Sequence, residues 1–331
     1  MWEGYANDII TGIQNNNGIE PDRAIWELVQ NARDVSKEDC NTEIVFTRRK
    51  GSFEFRHNGQ PFTRKSIQAL ILQTSSKVRH DIVQVGQYGT GFLTTHKFGL
   101  RYKLSGALQL LGSDKYYNFS SDDLLIDRSS KDKIELSRML GKQINTTQAW
   151  GEDIHKLVST PFPFTVFTYL HDYSVEYENV EKAFHTSPAL TSYVLALNKY
   201  VGSITFRDEI NNSEEAFCFI SSEKDSEYGN CIVNCVNIAH KKTNQQDDII
   251  SVYLLQSKTD LEQKTGESMI TVILPIRRHK NGITEVISFN DELPHYFYIY
   301  RYLAQKSGDL TFLYILLILL VTKTRETLYY L

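Results

Sequence analysis

Apolar residues recur at helical spacing near the start of the chain. From Pro21 onward they return every three or four positions, which predicts an amphipathic helix. Glu27, Asn31 and Asp34 fall at i, i+4 and i+7 of this helix, beside the apolar stripe and not opposite it. A carboxylate and an amide that border a buried surface must face a partner or a cavity. The alternative is an ordinary solvated helix face.

The pattern then changes to the alternation of apolar and polar residues that is typical of strands. Thr42–Arg48 and Ser52–Arg56, joined by Lys50-Gly51, predict a β-hairpin. Thr63 is placed to cap a helix over Arg64–Leu72. The other elements predicted in this half are helices over Asn7–Gln14, Thr90–Lys97 and Lys131–Lys142, and strands over Leu100–Ser105, Leu108–Leu111, Tyr116–Phe119 and Thr165–Leu170.

A second set of strands follows a change of character near Asp172. A helix over Pro188–Val201 is expected first, and strands separated by polar turns then predict an antiparallel sheet with one helix on it. These strands are predicted over Ser203–Arg207, Ala216–Ser221, Cys231–His240, Ile249–Leu255, Met269–Pro275 and Thr284–Ser288. We therefore expect an α+β fold class with two domains, residues 1–172 and 173–295.

A glycine-rich stretch ends the polar segment that follows Leu72. Its residues are Gly86, Gln87, Tyr88, Gly89, Thr90, Gly91 and Phe92. Because glycine tolerates positive φ and has no Cβ, such a loop can aim successive N–H groups at an anion beside a helix N-terminus. Taken alone, the pattern fits a tight turn equally well.

Composition narrows the class of protein. A chain of 331 residues that is 41% apolar is long enough for two domains with their own cores. Its net charge of −4 gives no basic footprint, so no nucleic-acid partner is indicated. Four unevenly spread cysteines favour a reducing, cytoplasmic setting over a disulfide framework. No secretory signal is recognisable, and the apolar run Leu310–Val321 is short of the ~20 residues that a membrane-spanning helix needs.

The polar helix face, the Asn-Gly turn after the hairpin and the glycine-rich stretch follow one another in order. This combination resembles the ATP-binding domain shared by gyrase, the ninety-kilodalton heat-shock chaperone, histidine kinases and MutL, and within it the chaperone and sacsin branch. The segment from Glu27 to Asp34 looks like the first motif of that superfamily, and Gly86–Phe92 looks like its glycine-rich lid motif. The resemblance covers roughly Ala6 to Leu170 and implies a two-layer α/β sandwich of the Bergerat type, followed by a second α+β domain built on an antiparallel sheet.

The resemblance also implies roles for individual residues. Glu27 would orient and deprotonate the water that attacks the γ-phosphate, and Asn31 would be a ligand of Mg²⁺. The other residues expected to bind nucleotide are Asp34, His57, Asn58, Gly59, Lys77, Gly86, Gln87, Tyr88, Gly89, Thr90, Gly91, Phe92 and Thr165. Lys77 would reach a phosphate from a lid over Gln73–Gln87, and Thr165 would lie on the strand beneath the adenine. The alternative for Lys77 is an ordinary solvated lysine, and the alternative for Thr165 is a β-branched residue with a structural role in its strand.

One motif departs from the superfamily pattern. There the second motif begins with Asp, whose carboxylate accepts a hydrogen bond from the adenine amino group, whereas this chain has His57. Pro61 likewise stands where the pattern has a glycine. A neutral imidazole has one acceptor nitrogen and could make the same bond, but a protonated imidazole could not. Adenine selectivity and affinity are the properties that this departure puts in question.

The sequence thus predicts a slow, Mg²⁺-dependent ATPase that binds ATP and ADP, closes a lid and signals to a second domain in a chaperone-like, defence or regulatory role. The alternatives are a non-hydrolysing nucleotide sensor or protein-interaction module, and a histidine kinase, which would need a phosphoacceptor hairpin. A protein partner or client is expected, and dimerisation stays open. Residues 296–331 form an atypical apolar tail. We expect it to be a truncated, out-of-frame end, because with permissive codon choices a reading two bases later from Tyr300 gives a peptide that resembles the sacsin branch more closely.

Overall fold

A computed structural model describes residues 2–36, 42–74, 91–198, 200–228, 231–258, 269–278 and 284–286. The predictions for the tail, 296–331, and for most of the lid lie outside these described residues. The chain divides into two compact units, residues 1–220 with 238–250 and residues 221–237 with 251–331. Each unit is described by itself.

The first unit contains a mixed sheet. Its strands are β1 (Thr42–Arg49), β2 (Ser52–His57), β3 (Phe62–Thr63), β4 (Arg101–Gln109), β5 (Tyr116–Phe119), β6 (Leu125–Asp127), β7 (Leu157–Val158), β8 (Thr165–Leu170), β9 (Val201–Asp208) and the start of β10 (Ser213–Tyr228). The strand order is β9-β1-β2-β8-β4-β5-β7, and β3 and β6 pair separately with β4. The β1–β9 pair is parallel, whereas β2 is antiparallel to both β1 and β8. A mixed α/β fold is therefore confirmed, and it is compatible with the expected α+β class.

Six α-helices are described in the first unit. They are α1 (Glu3–Asn15), α2 (Pro21–Asp34), α3 (Arg64–Leu72), α4 (Lys133–Ala149), α5 (Ser174–Thr186) and α6 (Pro188–Leu197), and three 3₁₀ segments cover Asn16–Gly18, Gly91–Phe98 and Ile154–Lys156. The Thr63 hydroxyl accepts a hydrogen bond from the Ser66 backbone N–H, so the predicted cap of α3 is confirmed. Within the described part of the chain, no helix is long and apolar enough to cross a membrane.

Aromatic rings form the core between the sheet and the helices. Phe46 of β1 stacks against Phe53 and Phe55 of β2, with ring centroids 6.0 Å and 5.4 Å apart. Phe53 in turn meets Phe98 of the 3₁₀ segment at 4.7 Å. Since side chains alternate along a strand, His57 lies on the same face of β2 as these two rings. The last residue of β2 therefore points toward the helices.

Several local predictions differ from the structure. The two strands predicted over Leu100–Ser105 and Leu108–Leu111 are one strand, β4. The helix predicted over Thr90–Lys97 is a 3₁₀ segment over Gly91–Phe98, because the Thr94 and Thr95 hydroxyls donate to the carbonyls three residues earlier, both at 2.7 Å. Helix α6 ends at Leu197 and not at Val201, since Val201 begins β9 beside β1. Helix α5 was not predicted at all.

The second unit is built from strands. They are the end of β10, β11 (Cys231–Lys242) from its start to residue 237, β12 (Asp248–Lys258) from residue 251, β13 (Met269–Arg278) and β14 (Thr284–Val286). Their order is β14-β13-β12-β11-β10, and the β13–β14 pair is antiparallel. Asn234 donates to Gln256 at 2.9 Å and so links β11 to β12. Cys231 and Cys235 lie on one strand, as predicted.

Candidate functional site

Glu27 and Gly91, which are 64 positions apart in the sequence, meet in the first unit. A Cβ built on Gly91 would lie 2.7 Å from Cδ of Glu27 and would overlap Oε2. The last glycine of the glycine-rich stretch is therefore a position where the backbone must approach a carboxylate closely. The Glu27 side chain is 20% exposed, and Arg23 one turn earlier lies 3.9 Å from Oε1. The first motif and the end of the glycine motif thus lie next to each other.

Asn31 and Asp34 continue along α2 from Glu27, and both are half-buried. Buried apolar residues of the same helix, Leu28 and Ala32 among them, anchor it against the unit. This is the placement predicted for the three polar residues, beside the apolar stripe. One edge of α2 therefore presents a carboxylate, an amide and a second carboxylate in succession.

The turn after β2 packs directly on the end of α2. A Cβ on Gly59 would lie 2.8 Å from the carbonyl oxygen of Val35, and the Gln60 N–H donates to that oxygen at 2.7 Å. Asn58 ties the turn to β1, because its Oδ1 accepts from the Glu43 N–H at 2.8 Å. The Asn58 side-chain oxygen thus has a structural partner, and its contact with nucleotide stays a prediction.

His57 and Thr165 are direct cross-strand partners of β2 and β8. Paired residues on neighbouring strands project from the same face of a sheet, so both side chains point toward the helices. They are 5% and 4% exposed. The neighbouring position on β4 is Gly106, where a Cβ would lie 3.3 Å from the Thr165 hydroxyl. The two residues that the resemblance assigns to the adenine base are therefore adjacent.

The protonation state of His57 follows from its surroundings. Burial lowers the pKa of His57 to about 4, so the ring is neutral at pH 7. Nδ1 accepts the Gly59 backbone N–H at 3.2 Å. A neutral imidazole has one N–H, so the proton lies on Nε2. The ring therefore offers a hydrogen-bond donor, and the acceptor nitrogen considered in the sequence analysis is already engaged.

Phe92 and Thr95 fix the 3₁₀ segment that follows the glycine motif. The Phe92 ring lies 5.9 Å from Phe167 of β8 and 6.2 Å from Tyr102 of β4. The Tyr169 hydroxyl donates to the Thr95 hydroxyl at 2.9 Å. Phe92 thus packs against the sheet at the start of this segment, and its contact with nucleotide stays a prediction. Lys77 and the stretch from Gly86 to Thr90 lie outside the described residues, and their roles stay predictions.

A buried polar cluster that the sequence patterns do not predict lies beside this segment. His96, Tyr102 and Arg128 are each 3% exposed or less. Burial lowers the pKa of His96 to about 3 and that of Arg128 to about 10, and it raises the pKa of Tyr102. Arg128 donates to the carbonyl of Ile71 at 2.5 Å, while the Tyr102 hydroxyl has no partner within the described structure. A histidine among the apolar residues near the end of the predicted helix Thr90–Lys97 was a signal in the sequence.

A separate cavity of about 620 Å³ lies at the other end of β1. It is lined by Arg49, Lys50, Tyr177, Glu209 and Ile210. Since His57 pairs with Ile44 near the start of β1 and Arg49 ends that strand, the cavity and the candidate site are distinct.

The described residues contain no group of three His, Cys, Asp or Glu side chains that would hold a metal by themselves. A Mg²⁺ ion at this site would be held by phosphate oxygens and water together with the amide oxygen of Asn31, since Mg²⁺ keeps several waters and takes few protein ligands. No family model matches the chain, and a search of curated proteins found no match.

Proposed function

We propose that the first unit binds a purine nucleoside triphosphate together with Mg²⁺ and hydrolyses it slowly. ATP is the nucleotide that the resemblance implies. The observation that carries the proposal is the contact of Gly91 with the Glu27 carboxylate, because it brings the glycine-rich motif, to which phosphate binding is assigned, next to the residue assigned as the general base.

In this proposal Glu27 orients a water and accepts its proton. Phosphoryl transfer requires mainly positioning and charge stabilisation, so one well-placed carboxylate suffices as the base. Mg²⁺ would neutralise negative charge on the phosphate groups, and Asn31 would contribute its amide oxygen to the ion. His57 and Thr165, adjacent on β2 and β8, would face the base. The Bergerat-type sandwich is part of the same proposal.

The test compares nucleotide binding with turnover. Glu27→Gln should retain nucleotide-induced thermal stabilisation but lose at least about 100-fold in turnover, because the amide cannot accept the proton. Asn31→Ala should weaken binding in the presence of Mg²⁺. Glu178→Gln makes the same chemical change at an exposed position of α5 and should match the wild type.

Ligand at 100 times its dissociation constant should stabilise the fold by about 2.7 kcal/mol. No thermal shift with any purine nucleotide at millimolar concentration would refute the binding claim. Normal binding with equal turnover in the wild type and in Glu27→Gln would instead favour the non-hydrolysing sensor.

A further inference from the structure

The hydrogen bond between Gly59 and His57 determines what the His57 ring can offer to a ligand. Nδ1 accepts the Gly59 N–H at 3.2 Å, and no hydrogen bond of Nε2 occurs among the described residues. Nε2 is also not fully enclosed by the described residues. The nitrogen that remains accessible is thus the one that carries the proton.

Contacts with two neighbouring segments fix the turn that makes this hydrogen bond. Gly59 abuts the backbone of Val35, where any side chain would force the turn away from α2. Asn58 exchanges hydrogen bonds with the backbone of Glu43, since its N–H donates at 3.3 Å and its Oδ1 accepts at 2.8 Å. Freeing Nδ1 for a ligand would leave the Gly59 N–H without its acceptor or would require the turn to move. The fold therefore favours the Nε2–H tautomer.

A donor at this position selects the opposite base chemistry from a carboxylate. At the C6 position, adenine carries an amino group, which donates, whereas guanine carries a carbonyl oxygen, which accepts. A carboxylate pairs with the amino group. An N–H pairs with the carbonyl, and an N–H facing an amino group leaves a buried donor without a partner. Thr165, which lies beside His57, has a hydroxyl that can donate or accept and so tolerates either ring edge.

We propose that the His57 site prefers a 6-oxopurine nucleotide, with guanine or hypoxanthine as the base, over an adenine nucleotide. This inference rests on the proposed function, because that function places the base against His57. It replaces ATP by GTP or ITP as the preferred substrate of the same site. The chemical reason is that Nε2–H donates to a carbonyl oxygen at C6.

The test measures the affinity of the full chain for ADP, GDP and IDP with Mg²⁺ by calorimetry. Diphosphates are used so that hydrolysis does not disturb the titration. GDP and IDP should each bind at least about tenfold more tightly than ADP, because ADP would leave the buried Nε2–H donor without a partner. IDP shares the C6 carbonyl with GDP but has no 2-amino group, so it isolates the contact with His57.

The variant His57→Asp supplies the acceptor and should reverse the order, so that ADP binds more tightly than IDP. If this variant does not fold, the purine riboside diphosphate, which has no group at C6, provides the comparison on the wild type and should bind more weakly than IDP.

Binding of ADP to the wild type as tight as that of IDP would overturn the inference while leaving the proposed function intact. Tight GDP binding with weak IDP binding would overturn it as well, because the 2-amino group would then be the feature recognised. Failure of all three nucleotides to bind at millimolar concentration would overturn both.

Discussion

Burial of His57 should make the stability of the first unit depend on pH. The folded-state pKa is about 4, below the ordinary value of 6.5 that the unfolded chain retains. Between these two values the unfolded chain binds a proton that the folded chain does not bind. The free energy of unfolding should therefore fall as the pH decreases from about 6.5 toward 4, and the loss should be complete below about pH 4.

The magnitude follows from the size of the pKa difference. A pH of 5 is about 1.5 units below the pKa of His57 in the unfolded chain, and each unit corresponds to about 1.36 kcal/mol. His57 alone should thus reduce the stability by about 2 kcal/mol between pH 7 and pH 5. With a urea dependence on the order of 2 kcal/mol per molar, the unfolding midpoint should decrease by about 1 M.

The assay is urea unfolding at pH 7 and pH 5, followed by tryptophan fluorescence. The three tryptophans of the chain, Trp2, Trp26 and Trp150, all belong to the first unit, so the signal reports on that unit alone. The variant His57→Asn keeps an oxygen near the position of Nδ1 but does not titrate, and it should lose about 2 kcal/mol less than the wild type on acidification.

The matched control is His155→Asn at an exposed position, which should behave like the wild type. His96 is present in all three proteins, so its own titration cancels in the comparison. Parallel loss of stability in the wild type and in His57→Asn would refute the argument that the ring is held neutral.

Four further substitutions test individual contacts. Gly91→Ala places a methyl group on the Glu27 carboxylate, which can rotate away, so nucleotide turnover should fall at least about tenfold while urea unfolding changes by less than about 1 kcal/mol. Tyr102→Phe removes a buried hydroxyl that has no partner within the described structure and should leave stability unchanged or raise it, whereas Tyr169→Phe loses a hydrogen bond and should cost about 1 kcal/mol in the same assay. Arg48→Met removes a buried guanidinium that pairs with two carboxylates and should cost about 2–3 kcal/mol in urea unfolding, and a cost below 0.5 kcal/mol would contradict this role.

The elements that carry the candidate site were predicted correctly because a few neighbouring residues mark where each helix or turn begins. The start of α2 is marked by Pro21, and the cap of α3 is marked by Thr63, which bonds to the backbone three residues later. The hairpin turn at Gly51 has a φ of 85°, a conformation that glycine adopts readily. Each of these features is written in neighbouring residues, so it can be recognised without knowledge of the fold.

Helix α5 was not predicted, and one partner of its buried residue Glu176 lies 76 residues earlier in the chain. Glu176 is 3% exposed, although a glutamate is normally solvated. Its carboxylate accepts the backbone N–H groups of Leu100, Asp172 and Tyr173. Leu100 contacts this helix only in the folded chain. The sequence alone therefore does not indicate that Glu176 is buried and hydrogen-bonded. The parallel pairing of β9 with β1 has the same cause, since residues about 160 positions apart form it.

The two ends of the candidate site should control different properties of a bound nucleotide. Glu27, beside Gly91, and Val35, beside Gly59, are eight positions apart on and just after α2, which corresponds to about 12 Å along a helix axis. A base against His57 and a terminal phosphate beside Glu27 would be separated by a ribose and two further phosphates, and an extended nucleotide can bridge such a distance. Substitutions near Gly59 should therefore alter base preference without changing the turnover of bound nucleotide, whereas substitutions near Gly91 should do the reverse. A variant at Val35 that alters turnover but leaves the ratio of IDP to ADP affinity unchanged would contradict this division.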